Sequence, residues 1–133
     1  MPGYSGTPLP KKLGIKPQSR ARLLNVPAEV RSELREALAD CEVIDDGKNL
    51  DFAMVSSRSR VELAKTFRQL AKELTPAGML WVCWPKKSSG VATDLDENIV
   101  REIGLAAGLV DVKVCAVTEV WSGLKFVRRL KDR

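Results

Sequence analysis

The 133-residue sequence contains no histidine. That removes the side chain most used as a general base near neutral pH and the commonest metal ligand. Aromatic residues are scarce at 5%. Of the larger ones, Trp81 and Trp84 fall in an apolar run read as a buried strand, and no basic stretch is interleaved with exposed aromatics. A base-stacking surface for nucleic acid is therefore not expected. No apolar run approaches the ~20 residues that span a bilayer. The opening "MPGYSGTPLPKKLGIKP" has no apolar signal core, so a cytoplasmic protein is expected. The three cysteines, Cys41, Cys83 and Cys115, are far apart and odd in number, which argues against a disulfide framework and a zinc site. Buried thiols in a reducing compartment are the expectation, with no metal and no cofactor. Neither a G-x-S-x-G elbow nor a G-x-x-x-x-G-K-[ST] phosphate loop occurs.

What is present is ordinary for one globular domain: 44% hydrophobic and 29% charged residues. The net charge of +5 is unevenly placed. Residues 1–22 hold five Lys or Arg and no acid, and residues 124–133 hold five against one Asp. The two ends together carry +9 and the remainder −4. Such ends suit solvated tails, or weak contact with nucleic acid or an acidic partner.

Residues 1–19, rich in Gly, Pro, Ser and Lys, read as an irregular basic arm ahead of a domain at 20–133. "RARLLNVP" gives a strand over Arg20–Val26, stopped by Pro27. Val30, Leu34, Ala37 and Leu38 then mark one helical face. "CEVI" is a short strand, "DDGKN" a turn, and "LDFAMVS" a strand over Leu50–Ser56. Leu63, Phe67, Leu70 and Leu74 form one stripe of a helix from Arg60 to Leu74. Met79–Trp84, apolar without alternation, reads as a strand buried on both faces. A helix over about Asp94–Ala107 follows, N-capped by Thr93 or Asp94, with Leu95, Ile99 and Ile103 inside and Gly108 at its end. "LVDVKVCAVT" and "WSGLKFVRRL" close the chain as an antiparallel pair.

Strand–helix–strand order ending in such a hairpin resembles the class I methyltransferase fold. The expected architecture is α/β: a truncated Rossmann-like, methyltransferase-like three-layer sandwich. Its mostly parallel sheet has about six strands and ends in the antiparallel hairpin. Only about six residues link the second strand to the third, too few for a helical crossover. Those strands either cross bare or form a hairpin, and a full strand-and-helix unit of the methyltransferase pattern is missing there.

Ligands of open α/β sheets lie beyond the carboxyl ends of the strands. Those ends present Asn25, Asp45, the loop Ser56, Ser57, Arg58 and Arg60, and the loop Lys86, Lys87, Ser88 and Ser89. If the third and fourth strands are neighbours, the two loops lie side by side. Arginine forks and serine hydroxyls suit phosphate oxygens. The resemblance to methyltransferases implies a glycine-rich turn after strand one and an acid after strand two for ribose. Asp45 stands about where that acid belongs, but "LLNVPAEV" has no glycine and Pro27 removes a donor. An S-adenosylmethionine site of the usual kind is therefore not expected. Asp94 and Glu97 read as capping residues.

The strings "GYSGTPLPKKLGIKP", "WPKKSSGVATDLDENIVREIGLAAGLVDVKVCAV" and "WSGLKFVRR" resemble a family of small bacterial proteins catalogued as a domain of unknown function. That resemblance implies a small cytosolic protein and carries over no catalytic residue. The expectation is a non-catalytic binding or interaction module whose basic loop pair takes an anionic small molecule or a protein partner, with no role at a membrane. The alternatives are a small enzyme acting on a phosphorylated or nucleotide substrate, and nucleic-acid contact through the basic termini. The N-terminal arm, anchored by Tyr4 and Leu9, is expected to lie across the carboxyl edge of the sheet.

Overall fold

A computed structural model describes residues 7–133. Its six strands are β1 (Arg20–Leu24), β2 (Glu42–Val43), β3 (Leu50–Ser56), β4 (Leu74–Pro85), β5 (Leu109–Ala116) and β6 (Trp121–Arg128). They form one sheet in the order β2-β1-β3-β4-β6-β5. The first four pair in parallel, and β6 pairs antiparallel with both β4 and β5. The sheet is thus the mixed, mostly parallel one that the sequence implies.

The helices are α1 (Leu9–Leu13), α2 (Ala28–Ala39), α3 (Arg60–Glu73) and α4 (Glu97–Ala106). Alternate side chains of a strand point to opposite faces, so each face needs its own cover. On one face α1 and α2 bury Leu9, Leu13, Val30 and Leu34 against Phe52, Met54 and Trp81. On the other, α3 contributes Leu63, Phe67 and Leu70 to a core with Val55, Val82 and Leu124. Val100 of α4 joins it, and Gly104 lets α4 sit against Phe126, whose ring a Cβ there would strike. Phe126 in turn meets Phe67 edge-on, 5.0 Å between centroids. Trp81, Val82 and Cys83 are fully buried, as a central strand covered on both sides requires.

Several expectations are corrected. The arm is not wholly irregular, since α1 opens with Pro at its start and closes on Gly14 in a left-handed conformation. The Leu13 carbonyl accepts from Trp81 Nε1 at 2.9 Å, fixing α1 to the sheet face. Leu9 is buried as an anchor, whereas Tyr4 lies outside the described residues. β1 ends at Leu24 because Asn25 turns into the left-handed region (φ 57°). β4 begins at Leu74, directly after α3, where Leu74 still reaches Leu50 across the sheet. α4 starts at Glu97, and its N-cap is Asp96, which accepts from Ile99 N at 2.8 Å. Of the cysteines only Cys83 is buried; Cys41 and Cys115 are half-buried.

The link between β2 and β3 resolves as a bare crossover. β2 pairs only with the first residues of β1, Arg20 with Glu42 and Ala21 with Val43. Its end therefore already lies near the level at which β3 begins, and Ile44–Asn49 has little height to recover. Left-handed Asn49 and positive-φ Gly47 make the reversal. Arg22 of β1 pairs with Glu73 of α3 at 2.8 Å, and Gln69 donates to the same carboxylate at 2.6 Å.

Candidate functional site at the carboxyl edge

α2 leaves β1 for one face of the sheet and α3 leaves β3 for the other. Divergence of this kind opens a crevice beyond the strands, the place where open α/β sheets bind ligands. Here it is a cleft of about 750 Å³ lined by Asn25, Ser56, Ser57, Arg58, Lys65 and Trp121, among others. That volume lies in the range of small-molecule sites, roughly 300–1,000 Å³. No described residue of the N-terminal arm lines it.

Ser56 is the notable group. It is 4% exposed, closes β3, and its hydroxyl has no hydrogen-bond partner. The neighbouring polar group is the Cys83 thiol, paired with Ser56 in register; the hydroxyl interacts with it at a geometry short of a full hydrogen bond. Burial pushes the Cys83 thiol up, Cys115 adds to this, and Ser56 offsets a part. A thiol held neutral in this way is a packing group rather than a nucleophile.

The other hydroxyls of the loop are committed. Ser57 Oγ donates to Ser59 O and accepts from Ser59 N, both at 3.1 Å. Ser59 caps α3, accepting from Glu62 N at 3.2 Å. Asp94 caps the same helix from outside, accepting from Arg60 N at 2.8 Å, while Thr93 Oγ1 donates to Arg58 O at 2.8 Å. The Arg60 and Glu62 amides at the start of α3 are thereby used internally. These bonds hold the Arg58 backbone rigidly and leave its guanidinium exposed at the cleft.

The two basic loops do lie beside each other, but only one reaches the cleft. Lys87–Ser89 forms a 3₁₀ turn closed by left-handed Gly90. Ser89 Oγ is spent on Lys86 O at 2.6 Å, and Lys86 N on Val120 O at 2.8 Å. Lys86, Lys87, Ser88 and Ser89 are not among the lining residues. Arg60 lines a separate groove between α3 and α4. Asp45 stays exposed on the crossover, because β2 is too short to carry it to the level of Asn25.

Glu62, Lys65, Thr66 and Trp121 are cleft residues that sequence reasoning passed over. Ser59, Glu62 and Thr66 share one face of α3 at helical spacing, which the predicted helix could have shown. Trp121 was also accessible, because an antiparallel β6 starts where β4 ends, and Trp121 pairs with Pro85. The cleft thus combines two cations, one carboxylate, an amide, a buried hydroxyl and an indole face. Among the described residues no group of three acids or cysteines is placed to hold a metal ion.

Similar architectures are found among solved structures. Mitomycin 7-O-methyltransferase aligns at a TM-score of 0.61 with 11% identity, over 91% of this chain and 53% of that one. Magnesium protoporphyrin IX methyltransferase from Synechocystis, with S-adenosylmethionine bound, gives 0.60 and 11%, over 91% and 74%. A putative methyltransferase from Thermoplasma acidophilum gives 0.58 and 9%, over 95% and 76%. The fold is methyltransferase-like. This chain spans about half the length of the mitomycin enzyme. No family model and no curated protein matches the sequence, so the resemblance to the small bacterial family rests on the quoted strings alone. No described helix is long and apolar enough to cross a membrane.

Proposed function

We propose that the protein is a binding module that takes a small anionic ligand in the cleft between β1 and β3, without turning it over. The observation that carries this reading is the cleft itself, about 750 Å³ beyond the ends of β1 and β3, with Arg58 and Lys65 on its wall. Arg58 and Lys65 supply the charge an anion needs, and Trp121 gives an apolar face beside them. The wall offers no histidine and no activated thiol, which favours binding over turnover.

A second reading is an S-adenosyl compound as the ligand. Two observations favour it: the likeness to structures with S-adenosylmethionine bound, and left-handed Asn25 at the turn after β1. Asparagine is the residue that most readily takes a glycine-like conformation there. Against it stand Pro27 and Glu29 at the start of α2, one lacking a donor and the other acidic.

The test is titration calorimetry with nucleotides, sugar phosphates and S-adenosyl compounds, on the wild type and on Arg58→Gln, Ser56→Ala and Lys87→Ala. Binding weakened by the first two substitutions and untouched by the third supports the cleft. Binding weakened only by Lys87→Ala moves the site to the second loop and defeats this reading.

A further inference from the structure

Three lysines from distant parts of the sequence, Lys12 of α1, Lys113 of β5 and Lys125 of β6, come together on the face of the sheet that α1 covers. Lys113 of β5 stands directly opposite Lys125 of β6, and Lys125 lies in register with buried Trp81. α1 crosses this face, the Lys125 ammonium is 3.9 Å from where a Cβ on Gly14 would stand, and Lys16 lines one groove with Gly14, Met79 and Asp51. Lys113 Nζ donates to the Lys12 carbonyl at 2.8 Å, and Lys12 Nζ to the Ala116 carbonyl at 2.9 Å, so the lysines are tied to backbone positions. The ion pairs among the described residues engage Arg20, Arg22 and Arg101, and none engages Lys16, Lys113 or Lys125. Like charges facing across an antiparallel pair are destabilising. Desolvation first, then Lys113 and Lys16, hold the Lys125 ammonium below its ordinary range. The ammoniums of Lys16, Lys113 and Lys125 each have three donors, and those not bound to backbone carbonyls are available to oxygen acceptors.

We propose that the face formed by α1 and the β5–β6 pair is a binding site for multivalent phosphate, contacted by Lys16, Lys113 and Lys125. Condensed inorganic phosphate and the backbone of a nucleic-acid strand share that chemistry. Trp81, the aromatic beneath the lysines, is fully buried, so contact is with phosphates and not with bases.

The experiment uses the full chain in phosphate-free, low-salt buffer. Thermal melts are run with tripolyphosphate, and fluorescence anisotropy with a single-stranded oligonucleotide. Lys16→Gln/Lys125→Gln is the chosen variant because neither side chain makes a structural hydrogen bond among the described residues, and Arg58→Gln is the cleft control. Tripolyphosphate is expected to raise the Tm of the wild type and of Arg58→Gln, but not of the double variant. An oligonucleotide response instead assigns the site to a strand backbone, and the slope of log affinity on log salt then falls by about one per lysine removed. A response to neither probe overturns the proposal. So does a response that survives in the double variant or disappears in Arg58→Gln.

Discussion

Ser56 and Cys83 face each other across β3 and β4, and burial acts on them with different consequences. Ser56→Ala deletes a hydroxyl that has no partner, so stability should hold or rise slightly, unlike the loss usual for buried polar truncations. Urea denaturation checks this, and a drop beyond about 1 kcal/mol would mean the hydroxyl is paired in the folded state. Cys83 gives a pH signature. Its thiol is raised by burial, so above an ordinary thiol pKa of about 8.5 the unfolded chain releases a proton that the folded chain keeps. The folded state then holds more protons, and its stability falls as pH rises. Lys125, displaced downward, works with the opposite sign, so the comparison to make is wild type against Cys83→Ala. Between pH 8 and 10 the wild type should lose stability faster than the variant.

At the scale of elements, caps decide how the two loops are held. Asp96 closes α4 and Asp94 reaches back to close α3, so adjacent acids serve different helices. Asp96→Ala should cost about 1 kcal/mol by denaturant titration. Asp94→Ala should add a loss of ligand affinity at the cleft, because it frees the segment that carries Arg58. Equal effects of both variants on binding would count against that clamp. Helix and strand boundaries were legible where a stripe or an apolar run was long, as in α3 and β3. Thr93 and Asp94 were misread as the α4 cap because capping residues at 93, 94 and 96 look alike in sequence, and only tertiary packing selects Asp96. α1 was hidden by its prolines, though Leu9 and Leu13 stand one helical turn apart.

At the scale of the whole molecule, strand pattern and the closing hairpin already implied the methyltransferase-like sheet. The candidate site was half legible: Asn25 and Ser56–Arg58 line the cleft, whereas Asp45 and Lys86–Ser89 do not. The reason is the level at which each strand ends, which register fixes and sequence spacing does not. The Arg22–Glu73 pair, which joins β1 to α3, was equally invisible. Glu73 is buried, so Glu73→Gln should cost about 3 kcal/mol by leaving a cation unmatched. Arg22→Met/Glu73→Leu should recover most of that loss, and a double variant as unstable as the single one would show that packing, not charge, sets the cost. Ligand binding in the cleft is decided by calorimetric titration of the anionic panel into wild type and Arg58→Gln. Saturable binding of at least one compound is expected, weakened about tenfold or more in the variant, which is about 1.4 kcal/mol. Binding of equal strength to both proteins, or no binding across the panel, would contradict it.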